Sequence, residues 1–407
     1  MIIKSARELA VACMLEVEAK GLLVNEAISE IGLQLPKEDM AFAHEIAYGT
    51  FRYFFFIEEI LKQYCKKPLK KLPPFLQWLL RSSVYQLKMM RTPDYAVINE
   101  AVNIAQKRGF KRLKPVVNGI LRQVQRNLEK HEYHHERHFL PAWYKNQLQQ
   151  QFASGTVSLW LENWKESPLQ AYWNADEPAV NSSSERAMLP HVQFGHPDMR
   201  SGRVYIQNES AQAIAEIVCR SSCRRVLDTC AAPGGKTCYM AAFGQIEKLT
   251  ASDISARRLK KMQENLQRLN LKAETHLITD DHPVQGHFDL VLVDAPCSAM
   301  GIIARHPELK FLRTGHEHKQ LLQTQQNILN SAWRRVEPGG FLLYTVCTLN
   351  KRELPAVPTE AVLAEEELKN WLPAGVPWLR PQEGHFVIPP SHRFDGFSGF
   401  LIKKKPV

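Results

Sequence analysis

The chain has 407 residues, of which 44% are hydrophobic and 23% charged, and carries a formal net charge of +10. Such a chain is long enough for two or three domains with cores of their own, and its composition is that of a folded globular protein rather than a disordered one. It holds no apolar run able to cross a membrane and begins with no secretory signal, so a cytoplasmic protein without membrane partners is expected.

Residues 1–130 read as one helix after another, an all-α domain. In "PDYAVINEAVNIAQKRG" Pro93 and Asp94 mark a helix start, Val97, Ile98, Ala101, Val102 and Ala105 form one face, and Gly109 is placed to end it. In "KPVVNGILRQVQRNL" the apolar face is Val117, Ile120, Leu121, Val124 and Leu128. Short turns between such helices suggest a compact bundle. The basic excess gathers here, in "KQYCKKPLKK" and "QKRGFKRLKPVVNGILRQVQR", interleaved with aromatic residues. That points to a polyanionic partner, although solvated helix faces explain the same pattern.

Residues 131–200 form a linker and small subdomain in this reading. His131, His134, His135 and His138 lie in a charged stretch that a polar linker explains better than a metal site. Cys219, Cys223, Cys230 and Cys238 do not have the paired spacing of a structural zinc site, so no metal is expected. Free thiols are expected throughout, because no signal peptide directs the chain to an oxidising compartment.

From 201 to 407 strands alternate with helices. "RVLDTC", "KLTASD", "HLIT", "FDLVLVD" and "GFLLYTV" are the strands, with "GFSGFLIKKK" as a plausible addition. Alternation of this kind gives a Rossmann-like α/β sheet, parallel and covered on both faces. The first strand runs into "DTCAAPGGKT". A P-loop would need glycine where Cys230 stands, and a dinucleotide fingerprint is absent. The remaining candidate is a nucleoside ligand with a charged tail on the glycine turn. Asp253, closing the second strand, can take both ribose hydroxyls, and Asp280 or Asp281 can meet the base. A nucleoside without a pyrophosphate suggests S-adenosylmethionine.

The fourth strand delivers Asp294 and Cys297, and the fifth delivers Cys347. Side by side, the two strands would bring two thiols to the cofactor crevice. Methylation of a cytosine carbon explains such a pair, since thiolate addition at C6 activates C5. A carboxyl near N3, the role given to Asp294, would hydrogen-bond or protonate the base. Spacing does not choose between the thiols, and two inert core cysteines explain it equally well.

The segments "VYIQNESAQ", "DTCAAPGGKT", "DAPCSAMGIIARHPELKFLR" and "YTVCTLN" resemble the RNA cytosine-5 methyltransferases, in particular the B type of bacterial 16S ribosomal RNA enzymes. "HEIAYGTFRYFFFIEEIL" and "INEAVNIAQKRGFKRLKPVVNGILRQ" resemble the NusB-like helical domain that this type carries. The resemblance implies an S-adenosylmethionine-dependent enzyme acting on ribosomal RNA, with a helical domain that helps to hold the RNA; a monomer is expected. It also implies that Cys230, Ala231, Ala232, Pro233, Gly234, Gly235, Lys236, Asp253, Asp280 and Asp294 contact the cofactor. Cys347 would be the nucleophile, Cys297 would assist product release, and Asp294 would serve the base. The same chemistry on transfer RNA and a non-catalytic RNA-binding or assembly protein are the alternatives. The chain departs from the family's pattern at Val346, Thr348 and Met300, lacks the usual Arg-x-Asn within 171–200, and has no Glu-Asn pair after Asn350.

Overall fold

A computed structural model describes residues 3, 5–32, 35–165, 172–174, 201–279, 282–315, 318–379 and 384–406. Two compact units divide the chain. One joins Met1–Lys165 to Ile303–Gly315, and the other joins Glu166–Ile302 to His316–Val407.

The first unit is helical. Its main helices are α1 (Ala6–Lys20), α2 (Val24–Ile31), α3 (Lys37–Arg52), α4 (Phe54–Tyr64), α5 (Pro74–Met89), α6 (Asp94–Lys107), α7 (Lys114–Arg126), α8 (Ala142–Gln151) and α9 (Ser154–Asn163). α1 starts where the Ser5 hydroxyl accepts from the Glu8 amide and stops where the Gly21 amide returns to the Val17 carbonyl. α5 opens with a proline in its first turn and is buried on nearly every face, as Leu76, Trp78, Leu80 and Val84 require of a central helix. The apolar faces expected for α6 and α7 are the buried ones, although Leu128 falls just beyond α7 in a short 3-10 turn.

The histidine-rich stretch is not a solvated linker. His131 Nε2 lies 2.8 Å from the Tyr64 hydroxyl, His138 Nε2 lies 2.5 Å from Glu59, and Phe139 is fully buried. Aromatic contacts of Phe56 with Tyr133 and His138 explain the difference: charge along the sequence concealed an apolar face. No group of three metal-ligating side chains occurs among the described residues.

The segment Ile303–Gly315 completes this unit from far along the chain. Phe311 packs its ring against Phe51, Phe54 and Trp78 at centroid distances of 5.7, 5.0 and 5.2 Å. Buried Lys310 donates to the Arg52 carbonyl at 2.9 Å and sits 3.8 Å from the Phe139 ring centroid. Buried Glu308 accepts from the Val24 amide at 3.1 Å.

In the second unit, β1 (Tyr172–Asn174) pairs antiparallel with β2 (Val204–Ile206). The main sheet holds β3 (Arg225–Thr229), β4 (Lys248–Asp253), β5 (Glu274–Leu277), β6 (Phe288–Asp294), β7 (Val336–Val346), β8 (Ala361–Leu363), β9 (His385–Ile388) and β10 (Phe397–Lys404). Its order is β5-β4-β3-β6-β7-β10-β8, with β9 also on β10. The first five strands are parallel, and β10 runs antiparallel to β7, β8 and β9. Helices α10 (Glu209–Cys219), α11 (Gly235–Phe243), α12 (Ala256–Arg268), α13 (His318–Trp333) and α14 (Glu365–Trp371) accompany the strands. Leu290–Val293 in the central strand β6 are fully buried, which accounts for their apolar run without alternation. Residues 175–200, the last part of the expected linker and small subdomain, lie outside the described residues. Among the described residues no helix is long and apolar enough to cross a membrane.

Candidate active site

Register places the expected residues along one edge of the sheet. Thr229 pairs with both Ser252 and Val293, and Asp294 pairs with Thr345, so β3, β4, β6 and β7 end together. Ligands of open α/β sheets bind at this edge. From β3 the chain turns through Cys230 and a cis Ala232–Pro233 peptide to Gly234, which caps α11. Cys230 and Gly234 take positive φ values of 61° and 100°. A side chain at Gly234 would put Cβ 2.4 Å from Met262 Cγ, so the turn needs glycine for both conformation and space. The first amides of α11 have no partner within the helix and face the end of the sheet.

Asp253 is buried. Its Oδ2 accepts from the Ala232 amide at 3.2 Å, and its Oδ1 from the Ser255 amide at 2.8 Å and Arg258 Nη2 at 3.0 Å. Lys236 Nζ meets Asp294 Oδ2 at 2.5 Å. Burial opposes the Lys236 charge, but Asp294 and then Asp228 outweigh it and hold the ammonium above its ordinary pKa. Cys230 is pushed up to about 12, first by burial and then by the carboxylates Asp294, Asp253 and Asp228, so this thiol stays protonated.

The two thiols converge. Cys297 Sγ and Cys347 Sγ are 3.1 Å apart, and both residues remain partly accessible. The hydrogen bond to Cys347, followed by burial, raises the Cys297 pKa well above its ordinary value. Their loops are stitched together: the Gly301 amide donates to the Cys347 carbonyl at 2.9 Å, and the Ser298 hydroxyl lies 3.3 Å from Thr348 Oγ1. A Cβ on Gly301 would stand 1.9 Å from the Gly396 carbonyl oxygen. Val346 and Met300, two departures from the family's pattern, are fully buried and serve packing.

The sequence reading thus has Cys230–Lys236, Asp253, Asp294, Cys297 and Cys347 at one sheet edge, while Asp280 and its neighbour Asp281 lie outside the described residues. It missed three buried residues. Asp228 sat inside the quoted motif without a role. Gln325 heads the buried stripe of α13 with Leu329, Ala332 and Trp333, and a polar residue on such a stripe was an available signal. Glu353 was passed over because the segment after Asn350 was scored only for an adjacent Glu-Asn pair.

Comparison with known proteins gives the family. Residues 220–399 match the family described as 16S rRNA methyltransferase RsmB/F, and residues 4–126 match the NusB family. Ribosomal RNA small subunit methyltransferase B of Shewanella oneidensis is 32% identical over 96% of this chain and 97% of its own length. Its counterpart in Proteus mirabilis is 30% identical over 98% of each chain. The chain belongs to the 16S rRNA methyltransferase RsmB/F family. A solved structure of PH0851 shares the fold with a TM-score of 0.72 at 20% identity, covering 99% of this chain and 100% of that one. The enzyme is therefore an S-adenosylmethionine-dependent rRNA methyltransferase with a NusB-type helical unit.

The residues present fit that cofactor. Asp253 Oδ2 carries a single backbone donor, which leaves a lone pair for ribose hydroxyls. Asp228 Oδ1, buried beside the turn, has no hydrogen-bond partner among the described residues, and the glycine turn admits close backbone approach.

Proposed function

We infer that this rRNA methyltransferase modifies C5 of a cytosine in 16S ribosomal RNA, with Cys347 as nucleophile and Cys297 assisting release. The observation that carries the reading is the 3.1 Å contact of two sulfurs at the ends of adjacent parallel strands, one of which also presents the Lys236–Asp294 pair. C5 is unreactive in an intact cytosine ring. Addition of the Cys347 thiolate at C6 converts the ring to an enamine whose C5 is nucleophilic. Asp294, in contact with the Lys236 ammonium, hydrogen-bonds the base at its N3 edge, and the ammonium of that pair is the proton source for N3 as negative charge builds on the ring. S-adenosylmethionine, when bound by Cys230–Lys236, Asp253, Asp280 and Asp294, supplies the methyl group as a sulfonium. The C5 proton then passes to solvent water at this partly accessible edge, its electron pair re-forms the C5–C6 double bond as the bond from C6 to Cys347 breaks, and the N3 proton returns to the Lys236–Asp294 pair. Cys297, whose S–H faces the departing sulfur, stabilises the released thiolate. The target cytosine has to be unstacked to reach this edge, and the basic helical unit holds the surrounding RNA.

The test uses purified Cys297→Ala and Cys347→Ala proteins with S-adenosylmethionine and unmodified small-subunit ribosomal RNA, followed by a denaturing gel. The expected result is a denaturant-resistant RNA adduct with Cys297→Ala and none with Cys347→Ala. The reverse pattern would exchange the two roles. Absence of any adduct, from proteins that still methylate, would overturn the covalent mechanism.

A further inference from the structure

Glu353 closes a short 3-10 turn, Lys351–Glu353, and is fully buried. Its Oε1 accepts from Ser298 Oγ at 2.6 Å and from Asn350 Nδ2 at 3.3 Å. Its Oε2 accepts from the Ser298 amide at 2.7 Å and from Gln325 Nε2 at 3.4 Å. The same Gln325 amide donates to the Pro296 carbonyl at 2.9 Å. Cys297 is therefore gripped at both of its peptide groups: Gln325 holds the carbonyl before it, and Glu353 holds the amide after it. Every one of these contacts asks Glu353 to accept, which an ionised carboxylate does at both oxygens and an amide does at one.

The nucleophile is held differently. Val346, just before Cys347, pairs with Ser398 in the ladder between β7 and β10, and the Ser398 hydroxyl donates to the Thr348 carbonyl at 2.6 Å. Loosening Glu353 releases the Cys297 loop while that ladder keeps Cys347 in place. Asn350, the Thr348–Ser298 contact and the backbone bond from Gly301 to Cys347 are the routes by which the two anchorings touch.

We propose that Glu353 is a positioning residue for Cys297, fixing the Pro296–Ser298 backbone so that its sulfur faces Cys347, and that it thereby governs release of the methylated base rather than attack on it. The proposal rests on the roles assigned above to the two thiols. The hydrogen bond to Cys347 and burial are the main causes of the raised Cys297 pKa, and the nearby Glu353 charge adds to them.

The experiment compares full-length wild type, Glu353→Gln, Gln325→Ala and Cys297→Ala on unmodified small-subunit ribosomal RNA with S-adenosylmethionine. It reads first-turnover methylation, the lifetime of the denaturant-resistant adduct and the thermal midpoint. A displacement of about 1 Å at a reacting group costs on the order of 100-fold in rate. Glu353→Gln is therefore expected to lengthen the adduct lifetime by about that factor while the first turnover stays within about threefold of wild type. Gln325→Ala should lengthen it less, and the Cys297→Ala/Glu353→Gln double variant should live no longer than Cys297→Ala alone. Unchanged adduct lifetimes in both Glu353→Gln and Gln325→Ala, or first turnover and release slowed together in a protein with a wild-type midpoint, would overturn the proposal. If Glu353→Gln does not fold, Gln325→Ala decides by the same readout. A Cys297→Ala protein that methylates but traps no adduct would instead sink the assignment of the thiols, and this proposal with it.

Discussion

Asp228 stands fully buried on β3 with Thr237 Oγ1 donating to its Oδ2 at 2.6 Å and its Oδ1 without a partner. Burial above all raises its pKa to about 7, and Thr237 and Lys236 only partly offset this. The folded protein therefore binds a proton that the unfolded chain releases near pH 4, and folding weakens as pH rises between those values. The cost in the ligand-free enzyme accumulates to about 2 kcal/mol between pH 5 and 7 by linkage. Asp228→Asn should lose less stability over this range, and denaturant midpoints at pH 5 and pH 8 for both proteins test it. A parallel fall in the two would place the titrating group elsewhere. At this scale the sequence was informative about which residues stand at or just beyond strand ends, such as Asp253, Asp294, Cys297 and Cys347. Glu353 was illegible, and Gln325 was visible only as a polar residue on an apolar stripe, without its partners. Their partners are Pro296 and Ser298, distant in sequence, and only the fold brings the four together.

Among the elements, β4 and β6 begin and end where the sequence puts them. β7 starts at Val336, ahead of the expected "GFLLYTV", because Val336 pairs with Phe288 across an irregularity in the ladder that no local pattern reveals. The turn into α11 was legible as a glycine turn, while its conformation was not. Gly234 at φ 100° cannot take a side chain without strain, and Met262 occupies the space that a Cβ would need. Gly234→Ala is expected to destabilise the enzyme by about 1–2 kcal/mol and to weaken S-adenosylmethionine binding. Thermal unfolding and calorimetric titration measure the two effects, and a variant with wild-type values in both would show that the turn tolerates a Cβ.

For the whole molecule, the formal charge of +10 predicts RNA affinity governed by counterion release. Affinity for small-subunit ribosomal RNA should fall more than about tenfold between 50 and 200 mM salt, measured by fluorescence anisotropy. A flat salt response would remove the basic surface from the account. Domain organisation was the least legible feature. Sequence pattern suggested a helical domain ending near residue 130, whereas the helical unit extends to Lys165 and takes in Ile303–Gly315. Local periodicity has no means of showing that Phe311 belongs with Phe51 and Trp78.

That remote segment has a consequence for how the molecule is made. A chain emerging from the ribosome folds its leading domain first when that domain is continuous. Here the leading bundle waits for Glu308, Lys310 and Phe311, so it stays unfinished until residue 315 of 407 has been synthesised. By then β3, β4 and β6 have already been translated, and both units of an enzyme that acts on ribosomal RNA reach completion late in their own synthesis.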